Sequence, residues 1–130
     1  MAVLNVSLVA PDREIWSGAA SFVVAKTTEG EVGVMPGHEP LLGLISDGAV
    51  VRIDVADSSD KVVAAVHGGF LSIDSNQVTI LAEVAELATD IDVTRAKAAL
   101  DRARESQDTM AAAAARRAEA RLLAAGGLQH

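Results

Sequence analysis

Cysteine is absent from this sequence of 130 residues, which excludes disulfide frameworks and thiolate metal sites. Nor does any apolar run approach the ~20 residues that a bilayer crossing needs. The expectation is therefore membrane association through a partner only. Met1 to Ala10 hold no basic segment, long apolar run or arginine-rich amphipathic pattern. Neither secretion nor organelle import is signalled, and a place in the cytosol is expected. Asn5-Val6-Ser7 matches a glycosylation acceptor, which means nothing without a secretory route.

The patterns of catalysis are missing too. There is no Gly-x-Ser-x-Gly elbow, and no Gly-Lys-Ser/Thr follows Gly30, Gly33 and Gly37, so a phosphate-cradling nucleotide loop is disfavoured there. His38, His67 and His130 lie far apart, without the close pairing of ligands that a zinc site uses. Glu83 and Glu86 read first as solvated acids, with Glu86 alternatively a carboxylate beside arginines of the tail. The chain reads as non-enzymatic by itself, and it requires no cofactor.

What is present is apolar and unevenly charged. Half the residues are hydrophobic, enough for one compact domain with a small appendage. The net charge is −7, with 13 acidic and 4 basic side chains in residues 1 to 90 but 5 acidic and 7 basic in residues 91 to 130. An acidic body argues against nucleic acid, which needs a basic footprint to replace phosphate counterions. The mildly basic tail suits an acidic protein face, a phosphate, or plain solvation.

Short strands run through most of the chain. Leu4, Val6 and Leu8 alternate with Asn5 and Ser7, and Val51, Ile53 and Val55 with Arg52 and Asp54; a period of two marks half-buried strands. Further strands are predicted over 21–27, 41–45, 61–66, 70–73 and 78–81. Asp47-Gly48, Asp57-Ser58-Ser59-Asp60, Gly68-Gly69 and Ser75-Asn76 supply the turns. Gly30 to Leu42 is read as a shaped loop, with three glycines and two prolines. No helix of crossover length separates the strands, so a parallel sheet is not expected. The fold class is an N-terminal antiparallel β-sandwich over residues 1–88, followed by a C-terminal antiparallel α-helical hairpin over residues 89–130.

Thirteen of the last forty residues are alanine, and alanine favours helix. Two helices are predicted, 92–106 with Asp92 as N-cap and 109–125, connected by Gln107-Asp108 and stopped at Gly126-Gly127. Ala96, Ala99, Leu100 and Ala103 make one apolar stripe; Met110, Ala114, Ala118 and Leu122 make the other. So few large side chains yield little burial energy against the entropy of ordering. The hairpin should fold only against something else, as a weakly held switch. Arg95 and Arg102, seven apart, share a face of the first helix, and Arg117 and Arg121, four apart, share a face of the second. Folded together, four guanidiniums would repel unless an anion such as a phosphate chain lay among them. The alternative is that Asp92 only caps its helix while the arginines are solvated or meet acidic neighbours.

Four blocks, Gly30 to Leu42, His67-Gly68-Gly69-Phe70-Leu71, Asn76 to Ala82 and Ile91-Asp92-Val93-Thr94-Arg95-Ala96, resemble in order and spacing the epsilon subunits of bacterial F-type ATP synthases. The resemblance implies a non-catalytic rotor subunit at the cytoplasmic face of the bacterial membrane, attached through its complex. It would couple proton-driven rotation to ATP synthesis, and its hairpin would restrain ATP hydrolysis. Its partners would be the γ subunit of the rotor stalk, the membrane ring of proteolipids and the β subunits of the catalytic head. Glu31 and His38 would face the ring; His38 read by itself is equally a loop imidazole bonded to backbone. The last block is similar to the nucleotide motif of ATP-binding members. That makes Glu86, Ile91, Asp92, Arg95 and Arg102 candidates for a regulatory ATP, joined by Arg117 and Arg121 if the inter-helix connection is shortened. A free-standing ligand-binding sandwich with an anion-sensing tail is the rival reading.

Overall fold

The computed structural model describes residues 2–105 and 109–126. Among these are nine strands: β1 (Leu4–Ala10), β2 (Arg13–Thr27), β3 (Gly30–Val34), β4 (Leu41–Ile45), β5 (Ala49–Val55), β6 (Lys61–Val66), β7 (Gly69–Asp74), β8 (Gln77–Ala82) and β9 (Ala85–Leu87). A 3₁₀ turn, Ala88–Asp90, leads into α1 (Val93–Glu105), and α2 (Thr109–Ala124) completes the hairpin. The expected connection Gln107-Asp108, like Ser106 and Gly127, lies outside the described residues.

The long strand β2 makes the sandwich. Its first half pairs with β1, and its second half with β3 on one side and β5 on the other. It thereby links the group β1, β8, β7, β4 to the group β3, β5, β6, β9. Alternation puts Leu4, Val6, Leu8, Val51, Ile53, Leu71, Ile73, Val78 and Ile80 inside, each almost wholly buried. Burying one such side chain is worth roughly 1.5 to 3 kcal/mol, so this core carries the domain.

Four expectations need correction. The sheet is not wholly antiparallel: β1 and β8 are parallel, with Val6 opposite Val78 and Leu8 opposite Ile80. The long link that a parallel pair requires is the intervening sandwich itself, not a helix. Second, the front of the glycine-rich stretch is a strand, with Gly30 opposite Thr27 and Val34 opposite Val23, which shortens the loop to residues 35–40. Third, β2 begins well before the predicted 21–27: Arg13 to Ala19 pairs with β1 but is largely exposed and so shows no apolar period, and β9 is too brief to show one. Fourth, Met110 and Ala114 face outward. The hairpin core is Ala96 and Leu100 against Ala118 and Leu122, with Val93, Ala99 and Ala115 beside them.

Asp92 caps α1 as expected, its Oδ1 accepting the Arg95 amide at 3.0 Å. Gly126 follows α2 with φ +75°, the left-handed position that favours glycine after a helix. The hairpin lies on the sandwich: Ala120 and Ala124 of α2 meet Ala65 of β6, with Val50 and Val63 packed around them. This explains why β6 breaks alternation. Val62, Ala64 and Val66 serve the main core while Val63 and Ala65 face α2, so both faces are apolar.

Candidate functional site

The turn between β4 and β5 receives α2. Arg117 donates from Nε to Asp47 Oδ1 at 3.0 Å and from Nη2 to Oδ2 at 3.1 Å. This bond is the main reason that the Asp47 carboxyl titrates below its ordinary range. Beside it Gly48 has φ +73°, and a Cβ there would lie 2.6 Å from the carbonyl oxygen of Arg116. Only glycine lets the helix backbone come so close.

A second contact is made by Arg121, whose Nε donates to Glu86 Oε2 at 2.6 Å. Behind this pair sits His67, with Nε2 3.9 Å from the same carboxylate oxygen and a side chain only 3 % exposed. Neither of its ring nitrogens has a hydrogen-bond partner among the described residues. Burial, and after it the Arg121 guanidinium, holds the imidazole below its ordinary pKa. No local pattern signals this: His67 stands before two glycines, and its burial comes from elements distant in the chain.

In front of the same pair, a cavity of about 440 Å³ opens between β9, the 3₁₀ turn and the two helices. Its walls include Glu86, Ile91, Asp92, Arg95, Arg102 and Arg121, with Asp90, Ala96 and Ala99. Six of the seven residues proposed from the sequence for a nucleotide thus share one cavity. The seventh, Arg117, is turned to Asp47, so three guanidiniums gather there rather than four. Arg95 and Arg102 make no ion pair among the described residues, and the volume lies within the ~300–1,000 Å³ of small-molecule sites. Arg121, which is bound to Glu86, has to exchange that partner to meet an anion. No group of three His, Asp or Glu side chains among the described residues is placed to hold a metal ion.

Glu31 and His38 are not brought together by any hydrogen bond. Glu31 lies on β3 opposite Lys26, whereas His38 is in the loop, its Nδ1 2.6 Å from Glu39 O. That contact matches the backbone-bonding reading of the imidazole. The loop is tied to the β7–β8 turn by the Gly37 amide, which donates to Asn76 Oδ1 at 2.7 Å, and it holds Met35 exposed.

A further surface was not anticipated residue by residue. On the outer face of β4, β7 and β8, Leu42, Leu44, Phe70 and Leu81 are 48 to 74 % exposed. Leu44 is opposite Phe70 and Phe70 opposite Leu81, so three of them form a cross-strand row of large apolar groups. Single exposed leucines are ordinary, but a contiguous apolar row on a sheet marks a contact surface. On β1, Val9 lies opposite Leu81, while the outward Asn5 and Ser7 lie opposite Gln77 and Thr79.

This fold, a β-sandwich with a helical hairpin laid on it, is shared with subunits of rotary ATP synthases. Residues 3–88 match the family model described as ATP synthase, Delta/Epsilon chain, beta-sandwich domain. The chain belongs to that family. Among its relatives, the ATP synthase epsilon chain of Rhodococcus opacus is 55 % identical over 116 residues, covering 89 % of this chain and 94 % of the relative. The epsilon chain of Streptomyces coelicolor is 55 % identical over 126 residues, covering 97 % and 98 %. Among solved structures, a chain of the Euglena gracilis mitochondrial ATP synthase (OSCP/F1/c-ring) has TM-score 0.76 at 24 % identity, covering 100 % of this chain and 83 % of that one. A chain of the central stalk and c-ring of the Tetrahymena thermophila enzyme has TM-score 0.61 at 21 % identity, covering 96 % of each.

Proposed function

We propose that the protein is a non-catalytic rotor subunit of the central stalk, coupling proton flow through a membrane ring to ATP synthesis in a head made by other chains. The observation that carries this is the row Leu44, Phe70 and Leu81, with Leu42 beside it, left uncovered on the sandwich. Such a row fits the γ subunit of the stalk. The 35–40 loop, held out by Asn76, then points toward the proteolipid ring. In this reading the protein sits at the cytoplasmic face of the membrane by way of these partners; no helix among the described residues is long and apolar enough to cross it.

Binding to purified γ tests the row. Phe70→Glu with Leu44→Glu abolishes a stable complex while the sandwich keeps its cooperative melting; undiminished binding by a folded double variant overturns the assignment. For the loop, Glu31→Ala with His38→Ala weakens ATP-driven proton pumping in reconstituted membranes. Pumping at the parental rate removes these two residues from the ring contact.

The cavity supports a regulatory role for the hairpin. Arg95, Arg102 and Arg121 are suited to a phosphate chain, and the Asp90 and Asp92 carboxylates beside them can accept from hydroxyl or amino groups. ATP held there would fasten α1 to α2 and to β9 through Glu86. The hairpin would then stay on the sandwich, away from the β subunits whose hydrolysis it restrains.

A further inference from the structure

β6 and the residue after it place Val63, Ala65 and His67 at alternate positions, and Val63 and Ala65 lie beneath α2. His67 continues that line under the helix. Its amide is fixed by donating to Val84 O at 2.9 Å, and Gly68 and Gly69 then turn with φ +81° and +140°. A Cβ at Gly69 would lie 2.0 Å from Leu81 O and one at Gly68 2.7 Å from Glu83 Oε2. The backbone that carries the imidazole is therefore confined.

The charges around His67 come from three elements. Glu86 faces it from β9, Asp47 from the β4–β5 turn, and Arg117 and Arg121 from α2, while Glu83 lies against the neighbouring Gly68. Both carboxylates that face the ring already hold arginines, Asp47 with Arg117 and Glu86 with Arg121. A proton on His67 thus meets two guanidiniums across the interface, and Glu86 and Asp47, each shared with an arginine, offset it only in part. A buried charge without a partner is costly, whereas a neutral buried imidazole loses only its hydrogen bonds.

We propose that His67 is a proton-sensitive latch: neutral, it lets α2 lie on β5 and β6 with both ion pairs closed, and protonated, it drives α2 off the sandwich. The sign is definite. Lifting α2 restores water to the imidazole, so the undocked form takes up the proton more readily. Docking is complete above the ordinary imidazole pKa of ~6.5 and weakens as pH falls below it. The release removes the hairpin contact on which the regulatory reading rests, but it is a property of the isolated chain and is measured without nucleotide or complex.

Amide exchange of the full chain, corrected for the intrinsic pH effect, tests it at about pH 7.5 and about pH 5.5, either side of the imidazole range. α2 amides should lose protection several-fold at the lower pH while those of β1, β5 and β8 keep theirs. The loss should follow the titration of the His67 C2 proton read by NMR. His67→Gln and His67→Leu, neither able to take the proton, should hold α2 equally at both pH values. Equal loss of protection in wild type and either folded variant overturns the proposal, as does wild-type protection that stays constant while His67 titrates. If both variants misfold, the coincidence of the two wild-type titrations decides. Absence of ATP binding would leave this result untouched, and a pH-independent α2 would leave nucleotide binding untouched.

Discussion

Asp47 and Arg117 are seventy residues apart in the chain and form a two-bond clamp of 3.0 and 3.1 Å. It seats α2 in the β4–β5 turn, and Gly48 next to it removes the side chain that would block the seat. Gly48→Ala should therefore undock the helix. The substitution puts a Cβ against Arg116 O and a non-glycine residue at positive φ, which costs about 1–3 kcal/mol. Proteolysis should cut α2 much faster in this variant, and because the left-handed turn belongs to the sheet, the Tm should fall by several degrees as well. An α2 as resistant as in the parent would show that the turn does not hold the helix.

The clamp also sets an acid response of its own. Arg117 lowers the Asp47 pKa, so the contribution is complete above the ordinary carboxyl pKa of ~3.9 and is lost as pH falls through the lowered value. Both side chains are substantially solvated, which limits the pair to about 1 kcal/mol or less and makes it salt-sensitive. Asp47→Asn should remove the part of hairpin docking that fades below about pH 4, leaving in place the His67 response that sets in below the ordinary imidazole pKa. Comparing α2 exchange in parent and variant across both ranges checks this; a variant that instead lost the response near neutrality would reassign it to Asp47.

How much of this was legible beforehand depended on distance along the chain. The strands at 4–10, 49–55 and 77–82 each bury one face, so Val51, Ile53 and Val55 announced themselves by alternation, and Asp92 announced α1 by its position before an alanine-rich stretch. The expected fold class followed from such local signals, and the family match of residues 3–88 agrees with it. β3 was hidden by its glycines, and the front of β2 by its exposure. The Asp47–Arg117 clamp and the burial of His67 had no local signal, because both are created when α2 meets the sheet. Among the arginines, helical spacing put Arg117 with Arg121, but Asp47 competes for Arg117, and only Arg121 reaches the cavity.

That division gives a prediction for nucleotide. Titration of the chain with ATP at about 1 mM, a range where binding energies near 4 kcal/mol become visible, should release heat. Arg95→Ala and Arg102→Ala should each abolish it, since both line the cavity. Arg117→Ala should retain it, since its guanidinium is spent on Asp47. Heat from the parent that Arg117→Ala loses and Arg95→Ala keeps would place the anion elsewhere, and no heat at all would remove the sensor reading.

The division of labour between sandwich and hairpin can be tested by cutting the chain after Asp90, which keeps β9 and removes both helices. Most of the large buried side chains, Leu4, Leu8, Ile53, Leu71, Ile73 and Ile80 among them, belong to the retained part, while Leu100 and Leu122 pack within the hairpin itself. What α2 contributes against the sheet is chiefly Ala120 and Ala124, small groups whose burial yields little, and part-exposed ion pairs that yield little more. The fragment should therefore melt in one cooperative transition. Its Tm should fall by several degrees, because in a domain of this size each kcal/mol corresponds to about 4–8 °C. It should also be less soluble than the full chain, since Val50, Val63 and Ala65 are uncovered. A fragment without a cooperative transition would mean that the hairpin is part of the folding unit, and docking could not then be the reversible step that a latch at His67 requires.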